Sequence, residues 1–381
     1  MKILMIPSWY PNKNNPLSGI FFKEQVESLN EYGIDVGCIA ISESSFKFIS
    51  NDKMSIVDYK NHRVNKVNTI EILYPVIDRV PIIRKFLRKV IFKVLFKVYI
   101  KKYGVPDLIH LHSFYFGDLA LWIKNKYNIP YIVTEHSTAF ARDLLTRNQL
   151  EYAQKVFYNS SYNIAVSNEF KFSLEKKFNN INFDYIPNFI DTDFFSFSPQ
   201  KSYKEFRFVN IAFLDKKKNQ KMLIKSFYRV FKNDLNVKLQ IVGDGSEYHN
   251  LKALVEKLSL ENQITLYGRA TRDEIRKLLH SSDAFLLSSE YETFGIVVIE
   301  AMSCGLPVLS TKCGGPESII INKKLGLLCE KNEASFSESL WYMYNNKYEQ
   351  SYIREYVVEN FSKNSVSKKL INIYQNEIKR K

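Results

Sequence analysis

From Lys2 to Cys329 the chain alternates short apolar runs with segments of helical period. That rhythm constrains the fold more than any single motif, because βαβ units join parallel strands through right-handed crossovers. In the first half it predicts strands at residues 2–6, 35–41, 107–112, 130–136, 163–167 and 184–187. Helices are expected at 20–32, 81–104, 118–127 and 169–178, with one more before residue 163. The second half predicts strands at 207–213, 237–242, 263–267, 284–287, 307–310 and 325–329. Helices between them are expected near 220–231, 247–258, 273–279 and 296–304, followed by 333–347, 350–360 and a basic tail helix at 364–380. Residues 43–80 are polar and mixed and give no clear period. A chain of 381 residues is long for one core, so two domains of roughly 180 residues each are expected. The first spans 1–190 and the second 200–362, with the irregular stretch 188–204 joining them and the tail helix 364–381 packing back on the first. The expected class is α/β: two Rossmann-like domains of parallel strands facing each other across a cleft at their strand C-terminal edges.

Residues 283–307 read DAFLLSSEYETFGIVVIEAMSCGLP. An apolar strand ends in a polar turn, Phe294-Gly295 leads into a helix, and Gly305-Leu306-Pro307 stops it. A strand, a Gly-containing turn and a helix N-terminus make an anion site, since unpaired amides and the helix dipole face a bound phosphate. Glu292 before the helix and Glu300 inside it bracket that site, as suits a phosphate ligand that also carries hydroxyls. Near the start, Gly19 follows the turn after the first strand and opens a helix, a weak phosphate signal because no GxGxxG is present. His110, His112 and His136 fall at or near strand C-termini, where ligands of open α/β sheets sit. His110 and His112 read as structural and His136 as functional.

The net charge of +14 and pI near 9.3 favour an anionic partner: nucleic acid, an anionic membrane or phosphorylated substrates. A run of basic residues without a single Asp or Glu lies in PIIRKFLRKVIFKVLFKVYIKKYG at 81–104. Apolar residues step by four through Ile83, Leu87, Ile91, Leu95 and through Phe86, Val90, Val94, Val98, and lysines step by four from Lys85 to Lys101. That is an amphipathic helix with a cationic polar face. It reads either as a crossover helix with solvated lysines or as a helix, 82–102, that also meets an anionic membrane surface. The four cysteines show no CxxC spacing, so neither a zinc site nor a disulfide framework is indicated. The N-terminal apolar run is too short for a signal peptide and no run approaches the ~20 apolar residues of a membrane span. A cytoplasmic chain is expected, peripheral on the inner face of the membrane at most. No nucleic-acid-binding motif is present.

Several stretches together resemble the retaining, nucleotide-sugar-dependent glycosyltransferases of family 4, which have the GT-B fold. SSEYETFGIVVIEAMSCGLPVLSTKCGGPESI resembles the family's E-x7-E signature and its Gly-Gly loop. PLSGIFFKEQV, PDLIHLHS, PYIVTEHS, IPNFIDTDFF, IVGDGSE and ITLYGRATRDEIRKLLHSSDAFLLSS follow the family's order. The resemblance implies that Glu300 hydrogen-bonds the donor ribose and that Glu292 lies beside the donor sugar. It implies that amides around Phe294, Gly295 and Ile296 hold the diphosphate, with Gly19 close to it and Lys218 neutralising it. The backbone near Arg269 lines the base pocket, and His136 sits near the transferred sugar. One departure stands out: Ala212-Phe213 replaces the family's Gly-Arg, and Lys216 or Lys217 substitutes poorly for a guanidinium, which alone offers a bidentate fork. Phe189 also replaces a usual Gly.

The resemblance therefore implies a retaining, metal-independent hexosyltransferase that uses a UDP- or GDP-linked sugar as substrate and needs no further cofactor. Its acceptor is expected to be a glycan or a lipid-linked group, as in bacterial-type surface polysaccharide synthesis. Front-face attack is favoured over a covalent Glu292 intermediate. Asp244 and Gly245 read as turn residues, and Glu317 with Gly314 and Gly315 as pocket-shaping or turn residues. The alternative of the same fold is an epimerase that acts on the sugar nucleotide alone.

Overall fold

A computed structural model describes residues 1–15, 18–45, 57–65, 67–76, 81–198 and 204–380, apart from the side chains of residues 45, 64, 81 and 82. The chain divides into two compact units. Unit 1 comprises Met1–Val166, Lys171–Ile186 and Val366–Lys381, and unit 2 comprises Ser167–Phe170 and Pro187–Ser365.

The first half runs β1 (Lys2–Pro7), α1 (Ile20–Glu31), β2 (Asp35–Ser45), β3 (Asp58–Val64), β4 (Val67–Val76), α2 (Pro81–Tyr103), β5 (Leu108–His112), α3 (Gly117–Tyr127), β6 (Tyr131–Glu135), α4 (Arg147–Asn159), β7 (Tyr162–Ala165), α5 (Asn168–Lys177) and β8 (Asp184–Tyr185). Its strands form one sheet in the order β3-β4-β2-β1-β5-β6-β7-β8. All neighbours are parallel except β3 and β4, which pair antiparallel from Asp58↔Leu73 to Val64↔Val67.

That hairpin corrects the expectation of purely parallel sheets. It occupies part of the stretch 43–80 that sequence periodicity leaves unassigned; residues 46–56, 66 and 77–80 of that stretch lie outside the described residues. β3 reads DYKNHRV and sits at the sheet edge, where charged side chains on both faces guard against further strand pairing.

Unit 2 begins its sheet after a connection of which residues 199–203 lie outside the described residues. The second half runs β9 (Phe206–Ile211), α6 (Gln220–Phe231), β10 (Val237–Val242), α7 (Tyr248–Lys257), β11 (Ile264–Gly268), α8 (Arg272–His280), β12 (Ala284–Leu287), α9 (Ile296–Ser303), β13 (Val308–Thr311), β14 (Gly326–Cys329), α10 (Glu333–Asn345), α11 (Gln350–Phe361) and α12 (Lys363–Lys379), the last belonging to unit 1 from Val366 onward. The order β11-β10-β9-β12-β13-β14 is parallel throughout. Phe208, Phe227, Phe231, Leu286, Leu309 and Phe336 form part of one buried core, each contributing roughly 1.5–3 kcal/mol by leaving water.

Each sheet has one place where the chain reverses its direction of growth. In unit 2, β9 has β10 on one side and β12 on the other. In unit 1, β1 lies between β2 and β5. Crevices open at such switch points over the strand C-termini, so the loops after β1, β5, β9 and β12 are the ones the topology places for a ligand.

Helix α2 packs against β2 and β4, and its buried side chains are Phe92, Leu95, Phe96 and Tyr99. Tyr99 lies over Gly37 of β2, where a Cβ would come within 2.0 Å of the tyrosine hydroxyl. This revises the helix read from sequence. Of the two apolar rows, Phe86, Val90, Val94 and Val98 are all exposed, and Leu95 is the one fully buried member of the other. The cationic face is also less uniform than its sequence implies: Arg88 lies over Phe116 at 4.5 Å, and Lys93 over Trp122 at 5.4 Å. In α12, Ser367 Oγ lies 3.0 Å from Ser28 Oγ and Tyr374 hydroxyl 2.7 Å from His110 Nδ1, tying those turns to α1 and β5 within unit 1.

Candidate functional site

In unit 2 the loops after β9, β12 and β13 are laced together. Beyond the buried β12, Ser288 Oγ donates to the Lys218 carbonyl at 2.7 Å and Glu290 N donates to the Lys217 carbonyl at 2.7 Å. Thr311 Oγ1 donates to the Ser289 carbonyl at 2.6 Å, and Asn219 Nδ2 to Glu290 Oε1 at 2.5 Å. Glu292 N donates to the Cys313 carbonyl at 2.8 Å, and its own carbonyl accepts from Gly315 N at 2.9 Å. That approach requires the Gly-Gly pair: a Cβ at Gly314 would lie 2.5 Å from the Glu292 carbonyl oxygen, and one at Gly315 would lie 2.2 Å from Phe294 Cα.

Lys218 ends a short 3-10 turn, Lys216–Lys218, started by Asp215, whose carboxylate accepts from Lys218 N at 3.2 Å. The Lys218 ammonium donates to the Glu292 carboxylate, with the two side chains only 14% and 12% exposed. Ser289 Oγ donates to the same Glu292 oxygen at 2.8 Å. An ion pair largely withdrawn from solvent is held firmly by geometry, yet either partner becomes available once a stronger ligand for the other arrives.

Helix α9 starts beside this pair. Gly295 is its N-cap at φ 97°, with no side-chain cap and no acidic residue in the first turn. Val298 N turns back to the Gly295 carbonyl at 2.9 Å. The leading amides at Ile296 and Val297 have no intrahelical acceptor, as in any helix first turn, and their dipoles favour an anion. Phe294 is buried against Phe361, ring centroids 5.9 Å apart. Glu300 lies four residues after Ile296, on the same helix face, and is partly buried.

The structure thus brings Lys218, Glu292, Phe294, Gly295 and Ile296 together at the unit 2 switch point. Arg269 stands apart from them. It follows the edge strand β11, two strand spacings from β9, roughly 10 Å, and its exposed guanidinium lies 3.6 Å from Asp244 Oδ2. Phe213, in place of the family's arginine, is 66% exposed. Lys217 lies 3.5 Å from the Asp215 carboxylate and Lys216 is exposed, so of the three lysines Lys218 is the one that meets Glu292. Glu317 accepts from Gly314 N through both carboxylate oxygens at 3.0 and 2.9 Å, which makes it the pin of the Gly-Gly turn.

In unit 1, Gly19 is the N-cap of α1 at φ 67°, and a Cβ there would lie 2.6 Å from the Trp9 carbonyl oxygen. Phe22 of the same helix meets the His136 ring edge-on at 4.9 Å. His136 Nε2 lies 3.2 Å from His112 Nδ1, while His110 spends both nitrogens on Tyr374 and Thr134, each at 2.7 Å. Burial pushes the imidazoles of His110 and His136 down to about 3 and that of His112 well below its usual value, so all three are neutral at pH 7. Sequence reasoning missed the group beneath them. Glu135 is fully buried and accepts from Ser113 Oγ at 2.6 Å and from the amides of Phe114, His136 and Ser137 at 2.8 to 2.9 Å. Burial raises its pKa while those donors oppose the shift. Its signal was an acid closing a buried strand, directly before the candidate histidine. Sequence reasoning missed Ser289 as well, a common turn residue with no pattern of its own.

The family model for glycosyl transferases group 1 matches residues 191–380, and that for glycosyltransferase family 4 matches residues 22–194. An uncharacterized glycosyltransferase of Methanocaldococcus jannaschii is 26% identical over 324 residues, covering 80% of this chain and 84% of that protein. Among solved structures, sucrose-phosphate synthase from Thermosynechococcus elongatus superposes with a TM-score of 0.79 at 18% identity, covering 100% of both chains. Anabaena HepE in complex with UDP and glucose superposes with a TM-score of 0.73 at 18% identity, over 99% of this chain and 100% of that one.

Proposed function

Since the chain belongs to the GT-B glycosyltransferases, we propose that it moves a hexosyl group, with retention of configuration, from a nucleotide-diphosphate sugar to a glycan or lipid-linked acceptor. The observation that carries this reading is the Lys218–Glu292 pair beside the uncapped start of α9, at the switch point of unit 2. A diphosphate on the Ile296 and Val297 amides would draw the Lys218 ammonium to itself, releasing Glu292 to accept from a sugar hydroxyl. Glu300, on the same face of α9, would accept from the ribose hydroxyls. Charge that builds on the leaving diphosphate is then met by one ammonium and by the amides, each such donor typically contributing ~3 kcal/mol.

UDP bound to the structurally similar HepE favours a UDP-linked donor, with GDP as the other candidate. For Gly19 and His136 we keep the roles implied by the family resemblance, close approach to the diphosphate and contact with the transferred sugar; Arg269 would border the base. A neutral His136 acts there as a hydrogen-bond partner and not as a cation. The chemistry uses no metal in this reading, front-face attack passes the acceptor's proton to the leaving phosphate, and a trapped glycosyl-Glu292 adduct seen by mass spectrometry would overturn that step. The setting is bacterial-type surface polysaccharide synthesis by a cytoplasmic protein that meets the inner membrane face through α2.

The test is a thermal-shift panel of UDP-, GDP-, CDP- and ADP-sugars on wild type and Glu300→Ala. One nucleotide class should stabilise the wild type and stabilise the variant much less. Equal stabilisation of both proteins would remove Glu300 from the site.

A further inference from the structure

Helix α2 has two apolar sides. One is covered by the sheet through Phe92, Leu95, Phe96 and Tyr99. On the other, Ile83, Phe86, Leu87, Val90, Val94 and Val98 are between 36% and 68% exposed. By helical period Lys97 and Lys101 fall within that second side, with Lys89 and Lys93 along one flank and Arg84 and Lys102 along the other. Lys89, Lys97 and Lys101 enter no ion pair among the described residues, and the helix sequence holds no acid. An exposed apolar row of this length marks an interaction surface.

We infer that this outer side of α2 lies in the surface of a bilayer rich in anionic phospholipid, with Phe86, Val90 and Val94 below the headgroups and the lysines on the phosphates. The pairing of the two features selects the occupant. Nucleic acid offers phosphates but no apolar layer for six side chains. A second copy of the chain, docked through the same side, would set lysine against lysine. An anionic bilayer supplies both complements. Among the described residues no helix is long and apolar enough to cross a membrane, so α2 lies along the surface. The inference deepens the peripheral-membrane part of the reading above and stands independently of its glycosyl-transfer part.

The test is flotation of the full chain with phosphatidylcholine vesicles, with and without phosphatidylglycerol. Wild type should float with the phosphatidylglycerol vesicles. Lys93→Gln/Lys97→Gln/Lys101→Gln should lose roughly a hundredfold in partitioning, at about fivefold per charge. Phe86→Ser/Val90→Ser/Val94→Ser, which keeps every charge, should also detach, because insertion and not charge alone holds the helix. All four native cysteines are buried, so a Val90→Cys variant takes one environment-sensitive fluorophore, whose emission should shift to the blue on those vesicles. Flotation of the serine variant equal to wild type, an unshifted probe, or equal binding to neutral vesicles would each overturn the inference. So would a dimer in sedimentation that the serine variant dissociates. Nucleotide-sugar stabilisation in the thermal-shift panel should be the same in all these variants, which separates failure here from failure of the donor site.

Discussion

The Lys218–Glu292 pair makes a prediction of opposite signs. The Lys218 ammonium is engaged by the Glu292 carboxylate, so a nucleoside diphosphate competes with Glu292 for it. Glu292→Gln removes the competing charge but keeps an amide oxygen that can still accept from Lys218. A hydrogen bond to a charged group contributes ~1.5–3 kcal/mol, of which a neutral acceptor retains part, leaving a gain for the diphosphate of about 1.4 kcal/mol, or tenfold. Lys218→Ala removes the cation and leaves the Glu292 carboxylate, 12% exposed, without its counter-ion beside the phosphate position. Affinity should fall by roughly a hundredfold, and folding should weaken because a largely buried pair has lost one partner. Isothermal titration with UDP and GDP reads both. Tighter binding to Glu292→Gln together with loss of sugar transfer, and weaker binding to Lys218→Ala, is the expected pattern. Unchanged or weaker nucleotide binding in Glu292→Gln would refute the exchange of partners.

Three further outcomes follow from the geometry. Gly295→Ala places a Cβ at φ 97°, which should cost roughly 1–3 kcal/mol of stability and abolish nucleotide-dependent stabilisation, both read by thermal melts. His110 and His136 are held near 3 against an ordinary 6.5, so between those values the unfolded chain binds protons that the native state does not. Stability should therefore be full above about pH 6.5 and fall on acidification, by roughly 1.4 kcal/mol per pH unit for each histidine; His136→Asn should flatten the slope of melting temperature against pH. Chelation with EDTA should leave the rate of sugar transfer unchanged, and a rate restored only by added divalent cation would contradict the metal-free reading.

The strand and helix rhythm was legible because several strands are short apolar runs with a buried centre between polar breaks, as in β12 with its buried AFLL. The hairpin β3–β4 was not, since an edge strand such as DYKNHRV owes its existence to pairing with β4 and carries little apolar signal. For α2, period identified the helix but not its orientation: both rows are apolar, and the choice is made by the close approach of Tyr99 to Gly37. At the candidate site, the Gly295 turn into α9 and the two carboxylates around it, Glu292 and Glu300, were readable from local sequence. The direct pairing of Lys218 with Glu292 was not, because it joins loops 74 residues apart that meet only through the strand order.

Hydrogen–deuterium exchange with and without UDP tests most directly whether the donor lies where this reading puts it. Protection should appear in peptides covering Glu290–Glu300 and Asp215–Asn219 and vanish in Lys218→Ala. Protection confined to other segments, or unchanged by that substitution, would contradict the assignment.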